Sequence, residues 1–409
     1  MSRRYDVIVV GARCAGSPTA MLLARSGYRV LLVDKARFPS DTMSTHLIHP
    51  PGIAALKRWG LLEDLQATGC PPITTYSFDF GPITISGSPR RADGVPGAFC
   101  PRRLVLDDLL VQAAVAAGAE LRESFTVDEI LIEDGEVTGI RGRAKSGAAV
   151  SERSRVVIGA DGRNSLVAKA VRPDQYNEVP TQQVGYYAYW SGLPTAGAAF
   201  YSRGESRRDW GVLPTHDGLT CVIVGWPRSQ FEANRKDYEG HYMRTFELAP
   251  EFAERIRGAT RETRFTGTAD LPGFFRKPYG RAWALVGDAG YHKDPVTAFG
   301  ISDAFRDAEA VSAALDDTFA GRRPYDEAMA ATQQARDDAS LALYGLTCEF
   351  AKVEPAPADM RQLLGAIATS REASDDFASV MAGTLPVRAF FGPDNAARII
   401  REANTAAAS

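Results

Sequence analysis

Histidine and cysteine are scarce in this chain and scattered where they occur, which excludes most metal chemistry. The five histidines, His46, His49, His216, His241 and His292, show no metal-ligand spacing, so no metal is expected. The five cysteines, Cys14, Cys70, Cys100, Cys221 and Cys348, are odd in number and include no C-x-x-C pair. Such thiols fit a reducing compartment better than a disulfide framework. Charge of one sign is also lacking: a formal net charge of -3 gives no reason to expect nucleic acid or an anionic membrane as a partner. No apolar run is long enough to cross a bilayer. Residues 1–10, with Arg3 and Arg4 ahead of a short apolar run, read as a first strand rather than a secretory signal. A cytoplasmic location is therefore expected. Repeats, heptads and low-complexity segments are absent apart from the small tail at 405–409.

What the chain does have is an α/β rhythm that is interrupted twice. Its 409 residues suit two or three structural units. Residues 5–10 read as a buried parallel strand, a helix runs from a glycine turn to about Ser26, and 29–33 form a second strand ending at Asp34. This βαβ start announces a doubly wound sheet. A helix is expected over 50–65, limited by Pro50, Pro51 and Gly60, and another over 104–117. Strands follow near 120–132, 137–140 and 155–158. Short alternating strands at 73–88, and candidates at 185–190, 209–214 and 219–225 in an aromatic stretch, break the rhythm. These are read as one inserted antiparallel sheet. A strand at 282–286 rejoins the first domain, and helices at 299–315, 325–350 and beyond close the chain. The expected fold is α/β: a Rossmann-like nucleotide domain (1–72, 101–175, 279–320), an inserted antiparallel β-sheet substrate domain (73–100, 176–278) and a helical C-terminal region (321–409).

Three glycine turns carry the chemistry. They are Gly11-Ala-Arg-Cys-Ala-Gly16, Gly159-Ala-Asp-Gly162 and Gly287-Asp-Ala-Gly290, each following an apolar run. A dinucleotide turn needs glycine for its bend, for backbone approach to phosphate and for close helix packing. Gly11 and Gly16 hold the first and third places, Arg13 replaces the middle glycine, and Ala20 keeps the helix small where it must pack closely. Asp34 lies 34 − 16 = 18 residues after the last glycine, close to the spacing of an acid that accepts ribose hydroxyls. Ala12, Ala15 and Lys35 flank these groups. Arg13 is either a surface cation or a guanidinium near the pyrophosphate or the flavin. Together the turns, with aspartates at 161 and 288, indicate FAD.

These motifs resemble the FAD-dependent monooxygenases of the aromatic-hydroxylase type, in the superfamily that also holds flavin halogenases and geranylgeranyl reductases. Asp161-Gly162-Arg-Asn-Ser165 matches the family's D-G-x-x-S, although Ala168 stands where an arginine is usual. Gly287, Asp288, Ala289, Pro295, Gly300, Ala304, Asp307 and Ala308 fall into register with its late motif. Gly290, Tyr291, Ala298 and Ser302 depart from it. The resemblance implies that Asp288 binds the ribityl chain and that Gly300 and Ile301 offer backbone N–H groups to the flavin ring. It also implies that Arg103, in Arg103-Leu-Val-Leu-Asp107, lies over the cofactor and that Val127 contacts adenine through its backbone. An ordinary core valine is the competing reading for Val127.

The activity implied is hydroxylation or epoxidation of an apolar, aromatic or polyketide-like metabolite of secondary metabolism through a flavin C4a-hydroperoxide. Dioxygen is the co-substrate. With only one dinucleotide turn, NADPH or NADH would visit transiently, or a partner flavin reductase would deliver reduced flavin. A halogenase or an oxygen-independent reductase of the geranylgeranyl type is the alternative. Against the former, Asp209-Trp-Gly-Val-Leu-Pro214 has a single tryptophan in a different register from W-x-W-x-I-P. His46 and His292 are candidate catalytic groups, each equally readable as structural. Tyr186, Tyr187, Tyr189, Trp190, Phe200, Tyr201 and Trp210 line a pocket, fill a core, or do both.

Overall fold

The computed structural model describes residues 5–408 except 92 and 146. Arg3, Arg4 and Ser409, on which the sequence reading touched, lie outside the described residues. The central sheet runs in the order Tyr279–Gly280, Trp283–Leu285, Ala149–Gly159, Tyr5–Val10, Val30–Val33, Glu120–Arg122. All its pairings are parallel except that of Tyr279–Gly280. Both faces are buried, which is why its strands read as apolar runs rather than alternating ones. Val7 and Val9 pack against the helices Gly16–Arg25, Arg103–Ala116 and Gly300–Phe319. Ile8 and Val10 pack against Thr126–Glu133 and Glu136–Arg143, which pair antiparallel with each other, and the second of them also pairs antiparallel with the first half of Ala149–Gly159.

The two interruptions meet in one sheet. Its order is Thr260–Arg261, Gln183–Ser191, Thr220–Pro227, Arg208–Pro214, Ala198–Arg203, Tyr76–Asp79, Thr84–Gly87, with Thr266–Thr268 also on Gln183–Ser191. It is antiparallel except where Ala198–Arg203 runs parallel to Tyr76–Asp79. One face is covered by Tyr238–Thr245 and Pro250–Arg257, with Trp226, Phe246 and Phe252 in the core. The other meets the C-terminal helices through Tyr76, Phe78 and Phe377. A small sheet of Gln175–Val179, Gly273–Arg276 and Tyr291–His292 sits where the chain passes between the two large ones.

Two local expectations change. The helix expected over 50–65 is two, Pro50–Arg58 and Leu62–Ala67, because Gly60 takes φ +77° and ends the first. Ala198–Arg203, unassigned from sequence, is a full strand held by neighbours on both sides. Among the described residues no helix is long and apolar enough to cross a membrane, and no group of three histidine, cysteine or acidic side chains could hold a metal ion.

Candidate active site

Each glycine turn follows a strand of the parallel sheet, and the fold brings all three together. Gly11 has φ +102°, and a Cβ there would stand 2.5 Å from the Ala160 carbonyl oxygen in the middle turn. An added Cβ on Gly16 would collide with the carbonyl oxygen of Gly11. Gly287 has φ +58°, and its Cβ would fall 2.9 Å from that of Ala15 and 3.4 Å from that of Ala304. The first turn therefore touches both the middle and the late one, at distances that only small residues allow.

The helices that start here are open. Gly16–Arg25, Arg103–Ala116 and Gly300–Phe319 each begin without a side-chain cap, leaving first-turn N–H groups for whatever lies in front of them. Asp288 and Gly300 are exposed, while Ile301 is buried. Pro295 opens the short turn Pro295–Thr297, which Asp294 caps by accepting from the Val296 N–H at 3.0 Å. The second oxygen of Asp294 is buried with no partner, and burial pushes this carboxyl up to about 7. In the middle turn Asp161 accepts from the Leu166 N–H at 2.6 Å, and its other oxygen is likewise buried and unpaired. Gly162 takes φ +77°, and Ser165 caps the next helix through the Ala168 N–H.

Asp34 is half-buried and already works as a clamp. Its two oxygens accept the N–H groups of Ala12 and Ala36, each at 2.7 Å. Lys35 beside it is exposed. Val127 is half-buried and packs on the core below the strand Thr126–Glu133. The guanidinium of Arg13 is not free: it pairs with Asp107 at 2.5 Å, donates to Ser40 Oγ at 2.9 Å and lies 5.4 Å from the Phe38 ring centroid. Arg103 forks onto the same carboxylate at 2.9 and 3.0 Å. Asp107 is fully buried, so two guanidiniums share one carboxylate and a net positive charge remains. Burial opposes the charge on Arg103, but Cys14, Asp107 and Asp288 outweigh it and raise its pKa. The sequence reading did not single out Asp107 as a site residue, although the i,i+4 spacing in Arg103-x-x-x-Asp107 was visible.

His46 is fully buried with φ +66°, an unusual conformation for a residue with a Cβ. Its Nδ1–H donates to the Ser44 carbonyl oxygen at 2.6 Å, so Nε2 is unprotonated and accepts from the Tyr189 hydroxyl. The rings of Tyr187 and Tyr189 meet the imidazole edge-on at 5.2 and 5.6 Å. Burial, helped by Arg103, pushes the imidazole down to about 3, which keeps it neutral at ordinary pH. His292 is placed differently: its Nδ1–H donates to the Pro272 carbonyl oxygen, and its ring stacks on Phe274 at 5.8 Å. His49, given no role from sequence, donates from Nε2 to the Thr297 carbonyl and accepts from the Tyr76 hydroxyl, both at 3.0 Å. It stacks on Phe299 at 4.2 Å and so ties the inserted sheet to the start of the helix Gly300–Phe319.

Similar proteins come from three activities. The 6-methylpretetramide 4-monooxygenase of Streptomyces rimosus is 28% identical over 319 residues, 76% of this chain and 75% of that one. The digeranylgeranylglycerophospholipid reductase of Methanocella arvoryzae is 29% identical over 317 residues, 74% and 75% of the two chains. The myxobacterial chondrochloren halogenase CndH superposes with a TM-score of 0.79 at 21% identity over 98% of this chain and 97% of that one, a likeness of fold. The FAD binding domain family matches residues 4–342, and with its three turns in contact at the ends of one parallel sheet this chain belongs to that family.

Proposed function

We propose that the chain is an FAD-dependent monooxygenase that hydroxylates or epoxidises an apolar, aromatic or polyketide-like small molecule. The residues present suit FAD. The tight contacts of Gly11, Gly16 and Gly287 hold the three turns together, and three uncapped helix starts suit an anionic ligand. The unpaired oxygen of Asp161 and the exposed Asp288 suit hydroxyl donors. Gly11, Ala12, Ala15 and Gly16 would cradle the pyrophosphate, with Arg13 and Arg103 supplying positive charge from behind. Asp34 would take the ribose with the lone pairs left over from Ala12 and Ala36, Val127 would border adenine, and Gly300 and Ile301 would face the flavin ring. The domain boundaries expected from sequence are proposed with them.

When bound, FAD supplies the redox chemistry that activates dioxygen; the chain contributes position, dryness and a proton path. The observation that carries the reading is the buried pair of His46 and Tyr189. Neutral His46 holds an unprotonated Nε2 against the tyrosine hydroxyl. Within that pair, a proton taken up at the Tyr189 oxygen is matched by passage of the tyrosine proton to His46. His292, engaged with Pro272, is given an anchoring part instead. Trp210, the one tryptophan of the halogenase-like segment, stacks on Tyr201 at 4.6 Å in the core beside Phe246 and Phe252, with no part in that pair.

The test is to reduce the flavin anaerobically with NADPH or NADH and then admit oxygen with a panel of phenols and polycyclic aromatics. A product heavier by one oxygen atom is expected. Chlorine or bromine in the product when halide is supplied would replace this reading with a halogenase. Product formed without oxygen would make the chain a reductase. Bleaching of the flavin only after a flavin reductase is added would assign electron delivery to a partner.

A further inference from the structure

The face of the inserted sheet that carries Tyr187 and Tyr189 has a gap in it. Alternation puts Gly185 on the same face as those tyrosines. The register sets Gly225, Ile223 and Cys221 opposite them, and then Asp209, Gly211 and Leu213 on the next strand. Phe200 follows beside Gly211. At one end Tyr189, Cys221 and Leu213 are fully packed. In the middle, Gly185, Gly211, Ile223, Phe200 and Asp209 remain half-buried, although Val212, Val222 and Val224 on the opposite face are buried. The glycines account for the difference. A Cβ on Gly185 would meet no atom within 4 Å, and one on Gly211 only the edge of the Phe200 ring, 3.6 Å away.

Gly225 serves another purpose. A Cβ there would collide with Asp209 Oδ1, so the Asp209 carboxylate lies directly over this glycine, at the border of the open strip. Asp209 accepts from Gln183 Nε2 at 3.0 Å. The neighbouring cation does not neutralise it by contact: the Arg208 guanidinium turns to the Trp226 ring and Gln230. Burial pushes the Asp209 carboxyl up to about 6. Asp209 in turn helps to raise Asp294, whose second oxygen is buried without a partner. An ion partly withdrawn from water, with one side-chain donor and open space beside it, gains most from a ligand that brings a donor.

We propose that the substrate ring lies on the strip over Gly185 and Gly211, and that Asp209 is a specificity-determining residue selecting planar apolar molecules that carry a hydroxyl or ring N–H donor. This rests on the monooxygenase reading only in calling that molecule the substrate. A molecule of the same shape without the donor would desolvate the carboxylate further and leave it with no side-chain donor beyond Gln183, and discrimination comes from that cost.

The experiment is calorimetric titration of the FAD-loaded protein, without reductant, with 1-naphthol and 1-methoxynaphthalene. Naphthol is expected to bind about tenfold tighter or more. Asp209→Ala should abolish that preference, with Asp209→Asn intermediate because it keeps an acceptor oxygen. Gly185→Val, for which there is room, should keep FAD content and lose both probes. Equal binding by the native protein, no binding of either probe up to solubility, a preference that survives Asp209→Ala, or undiminished binding in Gly185→Val would each overturn the proposal. No turnover is needed, so failure here and failure of the monooxygenase reading are separately visible.

Discussion

The two large sheets present opposite kinds of surface. The parallel sheet presents backbone: glycine turns at its strand ends, uncapped helix starts and carboxylates clamped by N–H groups. The inserted sheet presents side chains and, at Gly185 and Gly211, their absence. A backbone site tolerates little change, because every atom that forms it also holds the fold. A side-chain site can be re-cut one residue at a time while its sheet stays paired. Relatives named as a monooxygenase and as a reductase fit that division of labour.

Substitutions on each side test it, beginning with the largest effect. His46→Ala should lower product formed per reduced flavin by about 10²–10⁴-fold, with FAD content and flavin reduction unchanged and the lost electrons recovered as hydrogen peroxide. Tyr189→Phe should move in the same direction. Normal coupling in both would reduce the inner sheet face to shape alone.

On the other side, Asp107→Ala leaves the Arg13 and Arg103 guanidiniums without their shared carboxylate. Breaking a buried pair in this way costs about 3–5 kcal/mol, so the urea midpoint and the flavin content should fall together. Loss of stability without loss of flavin, or the reverse, would separate two functions that the comparison treats as one. Asp34→Ala should weaken FAD by roughly 1–3 kcal/mol, measured by flavin fluorescence on dilution. Unchanged affinity would confine Asp34 to its clamp on Ala12 and Ala36.

The smallest effect is in the pH dependence of stability. The His46 imidazole is held down to about 3 in the fold, against an ordinary value near 6.5 in the unfolded chain. Between those values the unfolded chain binds a proton that the native one refuses, so stability is lost as pH falls through that window. Asp209 and Asp294, raised to about 6 and 7, act in the opposite sense, so the variant must be compared with the native protein. His46→Gln should flatten the slope by up to about 1.4 kcal/mol per pH unit between pH 4 and 6. Equal slopes would mean that His46 is protonated in the fold and cannot accept from Tyr189.

The sequence by itself determined the fold class, the three turns and the two interruptions. Gly11, Gly16, Gly162 and Gly287 were legible because each meets a local demand, a positive φ or a close approach, that other residues fail within a few positions along the chain. Even locally there were limits: Ala198–Arg203 owes its strand to Tyr76–Asp79 and Arg208–Pro214, and Gly60 divided a helix that apolar spacing alone would continue. Tertiary structure alone decided that Asp107 holds Arg13 as well as Arg103, that His49 joins Tyr76 to the Thr297 carbonyl, and that His46 meets Tyr189. It also decided that Asp209 lies over Gly225 beside an open strip. Those partners are distant in sequence, except for Arg103, four residues before Asp107, and for Asp209 and Gly225, which meet only through strand register. No spacing rule encodes a register or a packing contact, since both follow from how many apolar side chains are buried at once.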